Sequence, residues 1–251
     1  MYNELNPFTA TMPKLENVTD KYKFISTAQF IEDVQGFGYV LESTRSPRKG
    51  LGMHSMVFNH PNMPKVEGLD LRLLATNSHD ATSAFRLYIQ VGVGICANVL
   101  TAFVPELSAH SRIVHRGYAL DKVAGAIDAV RNRVDYVLGT VDTMQSRLVT
   151  PELGAEFLKQ AAELRDAKPF RIIDLQTVRH APQRENTAWN VFNRVQESII
   201  RGGYATRTEV TRQDGTTLTV PGNRARELIA IKDRVQTNYK LWALAVETLL
   251  K

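Results

Sequence analysis

The chain has 251 residues, 43% of them hydrophobic, with a net charge of +5 and one cysteine, Cys96. That is enough apolar material for a core, one cysteine too few for an internal disulfide, and no apolar run near the roughly 18 residues that span a bilayer. The polar N-terminus lacks the basic-then-apolar layout of a secretory signal, so the expectation is a reduced cytoplasmic setting, in a host cell, with no membrane partner.

In chain order, residues 1–20 read as a mobile arm and residues 21–251 as a single domain, sheet-rich to 118 and helix-rich from 119. Ser26 to Gly36 fits a short helix with Phe30, Ile31 and Val34 on one face. Four strands follow: Tyr39–Arg45, Met53–His60, Leu69–Thr76 and Phe85–Ile95. Turn-rich breaks separate them, and the short connections favour an antiparallel meander. Alternation is clearest in the last strand, where Phe85, Leu87, Ile89 and Val91 share a face.

From Leu120 to Leu148 apolar residues recur at steps of four and three: Val123, Ile127, Val130, Val134, Val137, Val141, Met144 and Leu148. Asp121, Asp128, Asp135 and Asp142 form a seven-residue row beside them. This is heptad periodicity and predicts one long, straight helix with a narrow buried seam. Thr150-Pro151-Glu152 opens another helix to about Arg165. Asn186 is placed to cap a helix over Thr187–Arg201, which Gly202-Gly203 stops. Asp214-Gly215 marks a hairpin between Tyr204–Thr211 and Thr216–Val220. A last helix is expected from about Asn223 to Leu250. The fold class is therefore α+β: an antiparallel meander, a long central helix, and a mostly helical C-terminal half with one hairpin.

Charge is unevenly placed. From Lys168 onward there are 14 Lys and Arg against 8 Asp and Glu, and the preceding residues carry a balance of −1. Most of the surplus is arginine, whose planar fork suits phosphate and whose face stacks on bases. In the segment Thr187–Gly203, Asn190, Arg194, Glu197 and Arg201 succeed one another at helical steps, either as an internal hydrogen-bond network or as a ligand-contacting face. Arg207, Arg212, Arg224 and Arg226 extend that face into a basic strip. Arg45, Arg48 and Lys49 offer a second point of phosphate contact. Tyr88, Tyr204 and Tyr239 are candidate stacking platforms for unpaired bases.

The turn Asn77-Ser78-His79-Asp80, with His115 further on, is a candidate ligand site. Its spacing matches no metal motif, and its short polar side chains also suit a backbone turn. No phosphate-binding loop, nucleophile elbow or CxxC pair is present, so neither a cofactor nor a metal is expected and an enzyme is not favoured.

The Asn77-Ser78-His79-Asp80 turn, Ile95-Cys96-Ala97-Asn98, His115, and the run Trp189…Asn193-Arg194-Val195-Gln196-Glu197…Arg201-Gly202-Gly203 together resemble a family of phage- and plasmid-borne proteins, catalogued as domain of unknown function nine hundred thirty-two. The likeness covers about residues 22–245. Members typically carry glycine after the His-Asp pair, where this chain has Ala81. The resemblance implies a mobile-element origin and supplies neither an activity nor site residues. The strand-strand-strand-helix order is also similar to that of ring-forming phage single-strand annealing proteins, which oligomerise by continuing their sheet.

From these features the expected function is a phage or mobile-element DNA-binding protein, with single-stranded DNA favoured, acting in recombination or replication and assembling as a homo-oligomer. The alternative is a phage-encoded inhibitor whose partner is a host restriction or defence protein, bound through the aspartate row. A metal-assisted hydrolase using His79, Asp80 and His115 is the third reading.

Overall fold

The computed structural model describes residues 6–11, 22–47, 50–66, 68–93, 96–101, 111–165, 171–173, 184–203 and 206–251. Arg48, Lys49 and Tyr204 lie outside them. The chain divides into two compact units. One comprises Met1–Val137 with Ala230–Lys232, the other Leu138–Ile229 with Asp233–Lys251.

The first unit opens with a turn in the expected mobile arm. Phe8 N donates to Asn6 Oδ1 (2.9 Å), and Pro7 is buried. Helix α1 (Thr27–Gly36) is capped by Ser26, whose hydroxyl accepts from Gln29 N. The strands are β1 (Val40–Arg45), β2 (His54–Asn59), β3 (Leu69–Asn77), β4 (Phe85–Val93), β5 (Cys96–Thr101) and β6 (Arg112–Ile113). They form an antiparallel sheet in the order β1-β2-β3-β4-β5, with β6 paired to the start of β4. The four expected strands thus hold. Phe85, Leu87, Ile89 and Val91 are all fully buried, and Phe30 of α1 stacks on Phe85 with centroids 4.3 Å apart.

The expected single long helix is two. Helix α2 (Leu120–Arg131) and helix α3 (Val134–Ser146) are separated at Asn132 and Arg133. The apolar stripe survives the break: Val123, Ile127, Val130, Val134, Val137, Val141 and Met144 are all buried. Leu148, beyond α3, is 74% exposed. The four aspartates are exposed, but the break divides their row, so they are not one straight acidic ladder. The division between the two units falls within α3, after Val137.

The second unit continues with helix α4 (Pro151–Arg165), β7 (Arg171–Ile173), helix α5 (Ala188–Arg201), the β8 (Thr206–Thr211) and β9 (Thr217–Pro221) hairpin, and helix α6 (Ile231–Leu249). Strands β7-β8-β9 form a small antiparallel sheet. Helix α5 is capped by Thr187, whose hydroxyl accepts from Asn190 N (3.3 Å), not by Asn186. Trp242 of α6 meets Phe192 and Trp189 of α5 edge-on, with centroids at 5.7 and 6.5 Å. The last helix begins eight residues later than expected because residues 222–230 form an irregular segment hydrogen-bonded at the end of α5. There Gly203 N donates to Ala225 O (2.8 Å) and Leu228 N to Ile200 O (2.9 Å). Backbone partners along α5 thereby replace the first turns of a helix.

Candidate functional site

One end of the first unit's sheet gathers a group of buried polar side chains. Antiparallel register sets His54, at the start of β2, opposite Asn77, at the end of β3. The pairing runs on past the strands, since His79 N donates to Leu51 O (2.8 Å). Ile113 of β6 pairs with Phe85, which brings His115, two residues on, to the same end. The first residue of α1, Thr27, completes the group. Thr27, His54, Asn77 and His79 are fully buried and His115 is 6% exposed.

The hydrogen bonds fix the tautomers. His54 Nδ1 lies 3.1 Å from Gly52 O, a pure acceptor, so Nδ1 carries the proton and Nε2 accepts. Thr27 Oγ1 donates to that Nε2 (2.7 Å) and in turn accepts from His79 Nε2 (2.9 Å), which also faces Pro7 O at 2.9 Å. His115 Nε2 donates to Asn77 Oδ1 (2.9 Å), and its Nδ1 accepts from Tyr22 Oη (3.2 Å). Phe8 meets His54 edge-on at 5.3 Å, so the N-terminal turn is held here by both a ring and a carbonyl. Two buried atoms, His79 Nδ1 and Asn77 Nδ2, have no partner among the described residues.

Burial is the main reason that His54 and His115 are pushed down to about 4. Neighbouring histidines add to this, and a backbone carbonyl opposes it in each case. His79 is lowered too, by burial against the Pro7 carbonyl and Asp80. All three rings are therefore neutral at pH 7. Among the described residues no three His, Cys, Asp or Glu side chains are arranged to hold a metal ion. The arrangement is a proton-ordered, neutral chain that binds the N-terminal turn to the sheet.

Of the four residues expected in the ligand turn, the structure brings Asn77, His79 and His115 together and sets Asp80 apart. Asp80 Oδ1 accepts from Thr82 N (3.1 Å) and Thr82 Oγ1 (2.6 Å), as a turn residue does. Burial raises its carboxyl pKa, but the hydrogen bonds from Thr82 and Ser78 outweigh that and leave it lowered. Sequence reasoning missed His54, Thr27 and Tyr22. The one signal for His54 was its place at the start of a strand destined to pair with the one ending at Asn77.

The α5 ladder turns inward for most of its length. Arg194 is 5% exposed; its Nη2 donates to Asn186 Oδ1 (2.9 Å) and its Nη1 to Glu185 O (3.3 Å). Asn193 Nδ2 donates to Trp189 O and Gln196 Nε2 to Asn238 Oδ1, both at 2.8 Å. Asn190 is half-buried. Arg201 reaches the buried Glu197 at 3.3 Å. Arg194 is thus withdrawn from any phosphate surface: its guanidinium is committed to holding the loop before α5.

The strip beyond α5 is different. Arg212, Arg224 and Arg226 are exposed and form no ion pair among the described residues. Arg207 lies in β8, paired through its backbone with Ile172 and Pro221. On the same hairpin Val210, Leu218 and Val220 are 46%, 41% and 46% exposed, with Val210 opposite Leu218. Arg45 is an exposed residue of β1, in the other unit. Tyr88 and Tyr239 are each half-buried.

The family model described as "Domain of unknown function (DUF932)" matches residues 14–228. Among curated proteins the chain is 25% identical to the UPF0380 protein YfjQ of Escherichia coli K12, over 97% of this chain and 88% of that protein. It is also 25% identical to the UPF0380 protein YafZ of the same organism, over 95% and 86% respectively. No solved structure matches the chain.

Proposed function

The chain belongs to the DUF932 family, whose description names no activity, so its own residues carry the functional reading, and we propose a DNA-binding protein of a phage or mobile element that favours single strands. The observation behind this is the exposed group Arg212, Arg224 and Arg226, placed on the β8–β9 hairpin and the extended segment that follows it. Strand β9 has five residues, about 17 Å at the usual rise, so Arg212 at the turn and Arg224 beyond the base mark the two ends of a strip. Exposed Val210, Leu218 and Val220 between them supply apolar surface for unstacked base faces, which a duplex keeps covered. Self-association is part of the same reading, because among the described residues β1 lies at the edge of its sheet with five of its six residues exposed.

Fluorescence anisotropy with a labelled oligo-dT, titrated at several salt concentrations, tests it. Removing one phosphate-binding arginine lowers the log–log salt slope by about 0.7 on a single strand, so replacing all three by alanine lowers it by about two. Mass photometry of the same mixtures reads assembly. Absence of binding at 50 mM salt overturns the proposal, as does an unchanged slope in the triple variant.

A further inference from the structure

The break between α2 and α3 falls at Asn132, which caps α2 with its N–H on Asp128 O and Val130 O, a position that asparagine favours. Neither proline nor glycine occurs from Arg131 to Val134, and the buried stripe continues across the break, so the apolar pattern alone would carry one uninterrupted helix. Departures of this kind from local consistency concentrate at functional sites. Here the break opens onto a cavity of about 360 Å³, lined by Tyr39, His60, Asn62, Arg131, Val134 and Asp135, with Met63 and Pro64 as further apolar wall. That volume is at the lower end of the range of small-molecule sites, and the depression is half open to solvent.

The polar groups of the cavity are held in place. Tyr39 is 2% exposed and the Arg131 guanidinium covers its ring, Cζ lying 5.2 Å from the centroid, while Arg131 Nε donates to Tyr39 Oη (3.2 Å). Arg131 Nη2 lies 3.1 Å from His60 Nε2, and the His60 ring tilts against Tyr39 at 4.7 Å. Asn62 N lies 3.0 Å from His60 Nδ1 and the guanidinium faces Nε2, so both ring nitrogens meet N–H donors and a neutral His60 accepts from only one of them. Gly38, at φ +85°, lets the imidazole sit close; a Cβ there would lie 3.1 Å from His60 Nε2. The result is a cation over a buried ring, with an imidazole, an amide and a carboxylate around it.

That set selects its ligand by hydrogen-bonding pattern. Arg131 presents N–H donors and Asp135 carboxylate acceptors, so a ligand group seated between them carries an acceptor edge, in the plane of the guanidinium, beside a donor edge. Guanine has this pattern. Its O6 and N7 accept from an arginine fork, and its N1–H and N2–H₂ donate to a carboxylate. Adenine offers a ring-nitrogen lone pair where guanine has N1–H, and a carboxylate repels it. We propose that this cavity binds a guanine base, with Arg131 on the O6/N7 edge and Asp135 on the N1/N2 edge. The base is supplied either by a free guanine nucleotide or by one unstacked residue of a DNA strand. The strand source rests on the DNA-binding reading above; the free-nucleotide source does not.

Calorimetry with GMP, AMP and XMP, run beside anisotropy with oligo-dT and the same oligomer carrying one central dG, separates these outcomes. A free-nucleotide site binds GMP one to one and AMP at least tenfold more weakly. A strand site shows no GMP heat but binds the dG oligomer at least fivefold more tightly than oligo-dT. In either case Asp135→Asn abolishes the guanine preference and creates one for xanthine, whose C2 carbonyl accepts from the new amide. Asp135 is exposed, so this variant keeps its fold, checked by circular dichroism. If GMP gives no heat and the dG oligomer binds no better than oligo-dT, the guanine site is overturned. Persistent oligo-dT binding then leaves the DNA-binding reading standing.

Discussion

At the scale of single residues, Ala81 shows what a side chain costs in a turn built for none. It sits at φ +61°, the left-handed region in which a Cβ is disfavoured by about 1 to 2 kcal/mol. The turn around it is held from both sides, by Thr82 on Asp80 and by Ser83 N donating to Ser78 Oγ (2.8 Å), so the backbone cannot relax away. The alanine thus leaves the turn's shape unaltered and adds strain. Ala81→Gly is expected to stabilise the protein by about 0.5 to 1 kcal/mol, the relief of φ exceeding glycine's greater freedom in the unfolded chain. A urea midpoint that moves down instead would mean that the turn is not left-handed in solution.

At the scale of elements, what the sequence disclosed depended on how local the cause was. The meander strands were legible because β4 alternates buried and half-buried positions from Phe85 to Ile89, and because β2 and β3 are short apolar runs bounded by turn residues, signals contained within each strand. The hairpin was legible for the same reason: Gly215 at φ +83° follows Asp214, whose side chain accepts from Thr216 N. The α2–α3 break was not legible, since the stripe runs on across Asn132 and a lone asparagine, though it favours helix ends, is also tolerated inside helices. In the candidate site Asn77, His79 and His115 could be nominated as a histidine-bearing turn, but His54 and Thr27 join them only through sheet register and the seating of α1. The inward ladder of α5 was undecidable by period, because Arg194 and Glu197 sit at helical spacing whether they face solvent or core. The late start of α6 belongs to the same class. Its cause is Gly202, at φ +68°, ψ −147°, where a Cβ would lie 2.6 Å from Ala225 O. Gly202→Ala is therefore expected to cost about 2 to 4 kcal/mol, from strain and collision together. Gly203→Ala, at φ +81° with nothing within 4 Å of its Cβ, suffers strain alone and loses about 1 kcal/mol. Equal losses in urea denaturation would refute the close approach.

At the scale of the whole molecule, the neutral histidines tie stability to pH. His54 and His115 have folded-state values of about 4, below the ordinary 6.5 of an unfolded chain. The unfolded state therefore binds protons first as pH falls, and stability is lost between about 6.5 and 4, then levels off. Each ring contributes a loss of about 2 kcal/mol between pH 7.5 and 5, with His79 adding in the same direction. The carboxylates act elsewhere: Asp80 and Asp214 are lowered from 3.8, so the stability they confer is lost only at lower pH. A protein of ordinary stability thus spends a large fraction of it across this window. Because His79 Nε2 faces the carbonyl of Pro7 and His54 meets Phe8, the N-terminal turn loses its anchorage in the same range. Urea titrations at pH 7.5 and 5.0 measure the slope. In His115→Gln, whose amide can still donate to Asn77, about 2 kcal/mol of the pH dependence disappears, while the midpoint at pH 7.5 falls by less than that. A wild-type midpoint that does not change between the two pH values would show that these rings are reached by solvent protons in the folded state.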